Sequence, residues 1–200
     1  LRVLNQDRIA PGKGFGAHSH RDMEIVTWVL EGALEHADSL GSGSVIRPGD
    51  AQLMSAGSGI THSEVNASRE DPLELLQMWV LPARGGGRTS YQERHFALDE
   101  RQGRLVRLAA PREAGGEAEG AALAIGQDVT LYTGRFASAE RAELVLAPAR
   151  CGWLHVARGA ITLNGLAFGP GDGAGIEDER SLAIAGREDA EIVLFDLPAP

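Results

Sequence analysis

Two short stretches of the chain concentrate residues that could do chemistry. In "GFGAHSHRDMEIVTW", Gly14 to Trp28, His18 and His20 stand two residues apart, and the chain holds only six histidines. In "GSGITHSEVN", His62 and Glu64 repeat that spacing. Side chains at i and i+2 of a strand share a face, so each pair can present two donors to one ion. Together the pairs offer three imidazoles and one carboxylate. That set suits a first-row divalent metal and leaves coordination positions for water or a substrate. The glycines of "GFGAHSH" lead into a strand and not into a helix, which removes a phosphate-cradling reading. No Ser/His/Asp grouping stands out. His36, in "LEHADS", falls on the strand after a turn and is a candidate to hydrogen-bond near the site. His95 and His155 read as surface or internally satisfied polar residues, and Cys151, at a strand entrance, as inert.

The elements that must position these residues read as strands. Apolar runs such as "EIVTWVL", "AQLMSA", "LELLQMWVLP", "RLVRLAA", "VTLYTGRF", "GWLHVARG", "SLAIAG" and "AEIVLFDLP" recur between Gly, Pro, Asp and Ser. Such spacing predicts an all-β sandwich or barrel, with no capped helical periodicity. "ARGGGRTSYQER" reads as a loop. The acidic, Gly-rich segment 109–122 reads as a linker or exposed loop between a metal-binding barrel over 1–108 and a second barrel over 123–200. The 200 residues suffice for this, and 26 glycines fit a turn-rich β protein. A net charge of −9, with no Lys/Arg cluster, argues against direct nucleic-acid binding. No apolar run reaches the roughly 20 residues of a membrane helix. The single cysteine excludes an intramolecular disulfide and fits a reducing compartment, so a cytoplasmic location is expected. The first residue is Leu and no signal pattern opens the chain; a further N-terminal segment is expected to precede it.

The halves of the chain repeat. "TWVLEGALEH…VIRPGDAQLM" matches "GWLHVARGAITLNG…LAFGPGDGAGI", with Trp28 against Trp153 or its neighbour, Gly32 against Gly159, and Pro48-Gly49-Asp50 against Pro170-Gly171-Asp172. Offsets counted from these glycines and prolines place Val145, Ala147, Ile184 and Gly186 where the first half has His18, His20, His62 and Glu64. The second barrel is therefore expected to be metal-free.

"PGKGFGAHSHRDMEIVTWVLEG" and "PGDAQLMSAGSGITHSEVN" resemble the two cupin motifs in the form used by the pirin family, and the likeness runs over almost the whole chain. It is greatest to the bacterial pirin-like quercetin 2,3-dioxygenases. The resemblance implies a bicupin, that is, two jelly-roll-like β-barrels. It implies one divalent metal per chain on His18, His20, His62 and Glu64, iron first, with nickel, manganese, cobalt, copper or zinc open. It implies that the carboxylate ligand is Glu64 of the second motif and not Glu24 of the first. The implied activity is cleavage of flavonols such as quercetin by O2 with loss of carbon monoxide, with Glu64 as general base. The alternative is a metal-responsive regulatory protein that binds a protein partner. Trp28, Met78 and Trp79 are read with equal weight as walls for a flat aromatic ligand or as core.

Overall fold

The computed structural model describes residues 1–113 and 116–199; residues 114 and 115, inside the expected linker, lie outside them. Among the described residues nineteen strands follow in chain order. The first nine are β1 (Val3–Ile9), β2 (Gly14–His20), β3 (Glu24–Glu31), β4 (Leu34–Asp38), β5 (Gly43–Ile46), β6 (Asp50–Ser55), β7 (Ile60–Asn66), β8 (Leu73–Val80) and β9 (Ser90–His95). The rest are β10 (Leu105–Pro111), β11 (Leu123–Ile125), β12 (Thr130–Phe136), β13 (Arg141–Val145), β14 (Arg150–Arg158), β15 (Ile161–Leu163), β16 (Leu166–Phe168), β17 (Gly173–Ile176), β18 (Ser181–Gly186) and β19 (Ala190–Pro198). One α-helical turn, α1, covers Leu98–Arg101. Among the described residues no helix is long and apolar enough to cross a membrane. The fold is all-β, as the recurring short apolar runs predict.

Two compact units form: Leu1–Phe96 with Leu123–Gln127, and Ala97–Ala122 with Asp128–Pro200. The division thus falls after Phe96, ahead of the expected 108, and residues 109–111 continue β10 instead of starting a loop. The cause is the apolar run "RLVRLAA": Leu108, Ala109 and Ala110 are buried on a strand that pairs antiparallel with β12. The expected loop "ARGGGRTSYQER" is likewise a strand in its second half, where β9 pairs with β6 from Ser55↔Ser90 to Asp50↔His95.

The internal repeat is visible in the topology. The first unit has sheets in the order β1-β8-β3-β6-β9 and β2-β7-β4-β5; the second contains β12-β19-β14-β17 and β13-β18-β15-β16. Corresponding hairpins turn on Gly32 (φ 80°) and Gly159 (φ 65°). A Cβ there would stand 2.6 Å from Pro72 O and 2.0 Å from Asp189 O, so glycine is required at both. The Pro-Gly-Asp turns also match bond for bond. Asp50 N donates to Arg47 O and its carboxylate accepts from Arg47 N, while Asp172 does the same with Gly169. The glycine at the third position has φ 92° in one and 83° in the other, as a type II turn demands.

Strand register corrects the correspondence obtained by counting. His18 pairs with His62 across β2–β7, and Leu144 pairs with Leu182 across β13–β18. His36 pairs with Glu64, and Leu163 with Ile184. The counterparts of His18, His62, Glu64 and His36 are therefore Leu144, Leu182, Ile184 and Leu163. Val145, reached by counting, is 66% exposed and points outward. Connections of unequal length shift the count: residues 21–23 join β2 to β3, whereas 146–149 join β13 to β14. Trp28 corresponds to His155 and not to Trp153: Thr27 pairs with Gln77 and Leu154 with Leu194, which places the next residues level.

The interior of the first unit is layered. Ile9, Val29, Leu34, Ile46, Leu73 and Leu75 form one apolar cluster, and Ile25, Met54, Ala56 and Ile60 another. Thr27 lies between Ile25 and Val29 on β3, and Gln77 between Leu75 and Trp79 on β8. Alternation puts each on the face of its neighbours at i±2. A polar belt thus separates two apolar layers. The second unit has one continuous apolar cluster instead, in which Leu154, Leu163, Leu182, Ile184 and Leu194 are all buried.

Candidate metal centre

β2 and β7 lie side by side, and the register His18↔His62 brings the two sequence motifs together. The donor atoms of His18, His20 and His62 all lie within 4.8 Å of one another, and so do those of His36, His62 and Glu64. His62 belongs to both groups. Its ring centroid stands 4.4 Å from His18, 5.1 Å from His20 and 5.4 Å from His36. Both ring nitrogens of His62 and the Nδ1 of His36 are buried with no hydrogen-bond partner. Buried polar atoms are nearly always paired, so orphans aimed into a cluster of donors mark a place built for a ligand.

The remaining donors have their orientations set by the protein. His18 Nδ1 stands 2.8 Å from Gly16 O, which assigns the proton to Nδ1 and frees Nε2. His36 Nε2 stands 3.1 Å from Asp38 Oδ2, which leaves Nδ1 as its lone-pair nitrogen. Burial pushes Asp38 up, but hydrogen bonds from His36 and the backbone of Leu40 and Ser42 outweigh it and hold the carboxyl below its usual range. Burial, with the neighbouring His18, His20 and His36 charges, lowers His62 to about 3. His20 is lowered by burial and then by His18. Neutral imidazoles are the form that binds metal.

Glu64 is 1% exposed, and its carboxylate accepts from Gln52 Nε2 at 2.6 Å and Gln77 Nε2 at 2.7 Å, with Thr27 Oγ1 at 3.4 Å. Burial raises its pKa against the two amides and the nearby histidines. Glu24 lies on the opposite face of β3, where it accepts from Ser55 Oγ at 2.8 Å and Gly126 N at 3.2 Å. Its carboxylate is turned away from the histidines. A donor set of three imidazoles and a buried carboxylate, with orphaned nitrogens between them, fits a divalent transition-metal ion.

The sequence matches the Pirin family model over residues 1–80 and the quercetinase C-terminal cupin domain over 114–197. It is 40% identical to the quercetin 2,3-dioxygenase of Escherichia coli strain K12, over 99% of this chain and 82% of that one. It is also 40% identical to a pirin-like protein of Caulobacter vibrioides, over 98% and 82%. The crystal structure of the bacterial pirin YhhW from E. coli in complex with nickel(II) superposes with a TM-score of 0.90 at 40% identity, covering 100% of this chain and 82% of that one. The chain belongs to the pirin family.

Within this pirin, the four residues singled out in sequence converge on one region, with Glu64 grouped with His62 and His36 instead of directly with His18 and His20. Of the three proposed walls only Trp79 borders the histidines, its ring 5.0 Å from His20. Trp28 and Met78 are fully buried on the other face, Trp28 edge-on to Phe96; they are core. His95 is a surface residue hydrogen-bonded to Asp50, whereas His155 is buried. The residues not anticipated are Thr27, Gln52, Gln77 and Tyr91. The two glutamines show in the sequence as a lone amide at an inward position of an otherwise apolar strand, in "AQLMS" and "LLQMWV"; Thr27 and Tyr91 leave no such mark.

Proposed function

We propose that this pirin is a metal-dependent dioxygenase acting on flavonols such as quercetin, with consumption of O2 and release of carbon monoxide. The observation that carries the reading is His62: a buried imidazole with both nitrogens orphaned, shared by two donor groups. Identity of 40% to an E. coli quercetin 2,3-dioxygenase supports the reaction class. His18, His20, His62 and Glu64 would hold one divalent ion, iron first by family resemblance and nickel by the YhhW complex. Bound there, such an ion supplies Lewis acidity that eases deprotonation of a phenolic oxygen.

The chain's own groups do the rest. Burial keeps the His62 ring neutral across the whole physiological range. The same burial gives the Glu64 carboxylate a raised proton affinity, which suits a general base for the flavonol 3-hydroxyl. Trp79, half-buried beside His20, offers an aromatic wall for a flat ring system. The apolar layer of Ile25, Met54, Ala56 and Ile60 limits water on that side. The test is carbon monoxide evolved when metal-loaded protein meets quercetin in air. Release in step with quercetin loss, absent in His62→Ala, supports the reading; quercetin left intact by the metal-loaded wild type rejects it and favours the regulatory alternative.

A further inference from the structure

Glu64 is held from both sides by glutamines, and each glutamine is itself held. Gln77 Nε2 donates to Glu64 Oε2, and Trp79 Nε1–H donates to Gln77 Oε1 at 3.1 Å. An indole N–H can only donate. The carbonyl of Gln77 must therefore face Trp79, and its NH2 must face Glu64; the reverse orientation would set donor against donor at one end and oxygen against oxygen at the other. On the opposite side, Gln52 Nε2 donates to Glu64 Oε1 and to Thr27 Oγ1, and Tyr91 Oη lies 3.0 Å from both Gln52 Oε1 and Glu93 Oε2, two acceptors for its single proton. Ser44 Oγ lies 2.8 Å from the same phenol oxygen. The result is a chain of donors, Trp79 to Gln77 to Glu64, met from the other side by Gln52, in the buried polar belt.

The second unit supplies an internal comparison. Thr27, Gln52 and Gln77 form one row across β3, β6 and β8, and its counterpart is Leu154, Ala174 and Leu194 across β14, β17 and β19. Glu64 is Ile184 there, inside the apolar cluster. The amides are absent from the barrel in which the carboxylate is absent. If they served only to fill the barrel, nothing would tie their loss to that of Glu64.

We infer that Gln52 and Gln77 are positioning residues for Glu64, with Trp79 fixing the orientation of the Gln77 amide, so that the carboxylate reaches a bound divalent ion in one defined pose. This rests on the metal-site reading above. It also makes Trp79, at the aromatic wall, a point through which contact with a bound ring would reach the carboxylate.

The test uses the full chain, stripped of metal and titrated with nickel(II). Gln77→Met should weaken nickel binding by about 10- to 100-fold, as loss of a group that orients a ligand does. Trp79→Phe removes the N–H and keeps an aromatic ring; it should weaken binding roughly 5-fold, the worth of one ordinary hydrogen bond. The double variant should be no weaker than Gln77→Met alone, because the phenylalanine keeps a ring beside His20 and the lost N–H acts only through the amide. Gln52→Met makes the same test from the other side of Glu64 and covers a Gln77 variant that fails to fold. In the cobalt(II) form, Trp79→Phe should shift the visible ligand-field spectrum while far-UV circular dichroism stays unchanged. Additive losses from Trp79→Phe and Gln77→Met would overturn the inference. Wild-type nickel binding and cobalt spectra in all these variants, with binding lost in His62→Ala, would overturn it while leaving the metal site standing. Wild-type binding in His62→Ala would overturn both.

Discussion

His62 and Glu64 divide the work that one strand face makes available to them. His62 brings two unpaired nitrogens and little else, so His62→Ala should remove divalent-metal binding, read by calorimetric titration, while leaving the β signal in far-UV circular dichroism. Glu64→Gln keeps the shape and a neutral oxygen donor but sets an NH2 against one of two amide donors. Metal should still bind, more weakly, and quercetin turnover should fall by the roughly 10²–10⁴-fold typical of a lost general base. Glu24→Gln should leave both quantities near wild type, since Glu24 is spent on Ser55 and Gly126 across the sheet. A Glu24→Gln protein that cannot hold metal would reverse the assignment of the carboxylate.

The hairpin glycines decide whether the strands reach these positions at all. Gly159→Ala would combine a left-handed backbone with a Cβ 2.0 Å from Asp189 O, so the second unit should lose at least the roughly 1–3 kcal/mol of a strained backbone, measured by urea unfolding. This element, and the Pro-Gly-Asp turn, were legible in the sequence because a left-handed turn leaves a glycine at a fixed place. The strands over "EIVTWVL" and "AEIVLFDLP" were legible because their apolar runs are long. Register was not: connections of unequal length in the two halves move the counterparts of His18 and Glu64 by one or two residues, and counting along a chain cannot see them. Nor could it see β9, whose inward Tyr91 lies in a stretch too polar to read as strand. The His/Glu set was legible because i, i+2 spacing is itself a statement about one strand face. The glutamines that hold it were not, since one amide in an apolar run carries no spacing of its own.

At the scale of the molecule, two units of one topology have kept different interiors. The first places a polar belt between apolar layers; the second fills the same positions with Leu and Ile. Leu194→Ala should cost about 2–5 kcal/mol in the second unit, as truncation of a fully buried leucine does, without altering nickel binding in the first. His155 adds a pH term to the stability of the same unit. Burial lowers its pKa in the fold, so below about pH 6.5 the unfolded chain takes up a proton that the folded chain declines. That contribution is complete above the unfolded value and is lost as pH falls through it. His155→Gln should narrow the gap between urea midpoints at acid and neutral pH. The central claim, that one barrel carries the metal and the other has an apolar core in its place, is tested most directly by metal per chain. Mass-spectrometric metal analysis of tag-free protein loaded with excess iron(II) or nickel(II) and desalted should give one ion per chain in the wild type, one in Leu194→Ala and close to none in His62→Ala. Two ions per chain, or one that survives in His62→Ala, would contradict the account.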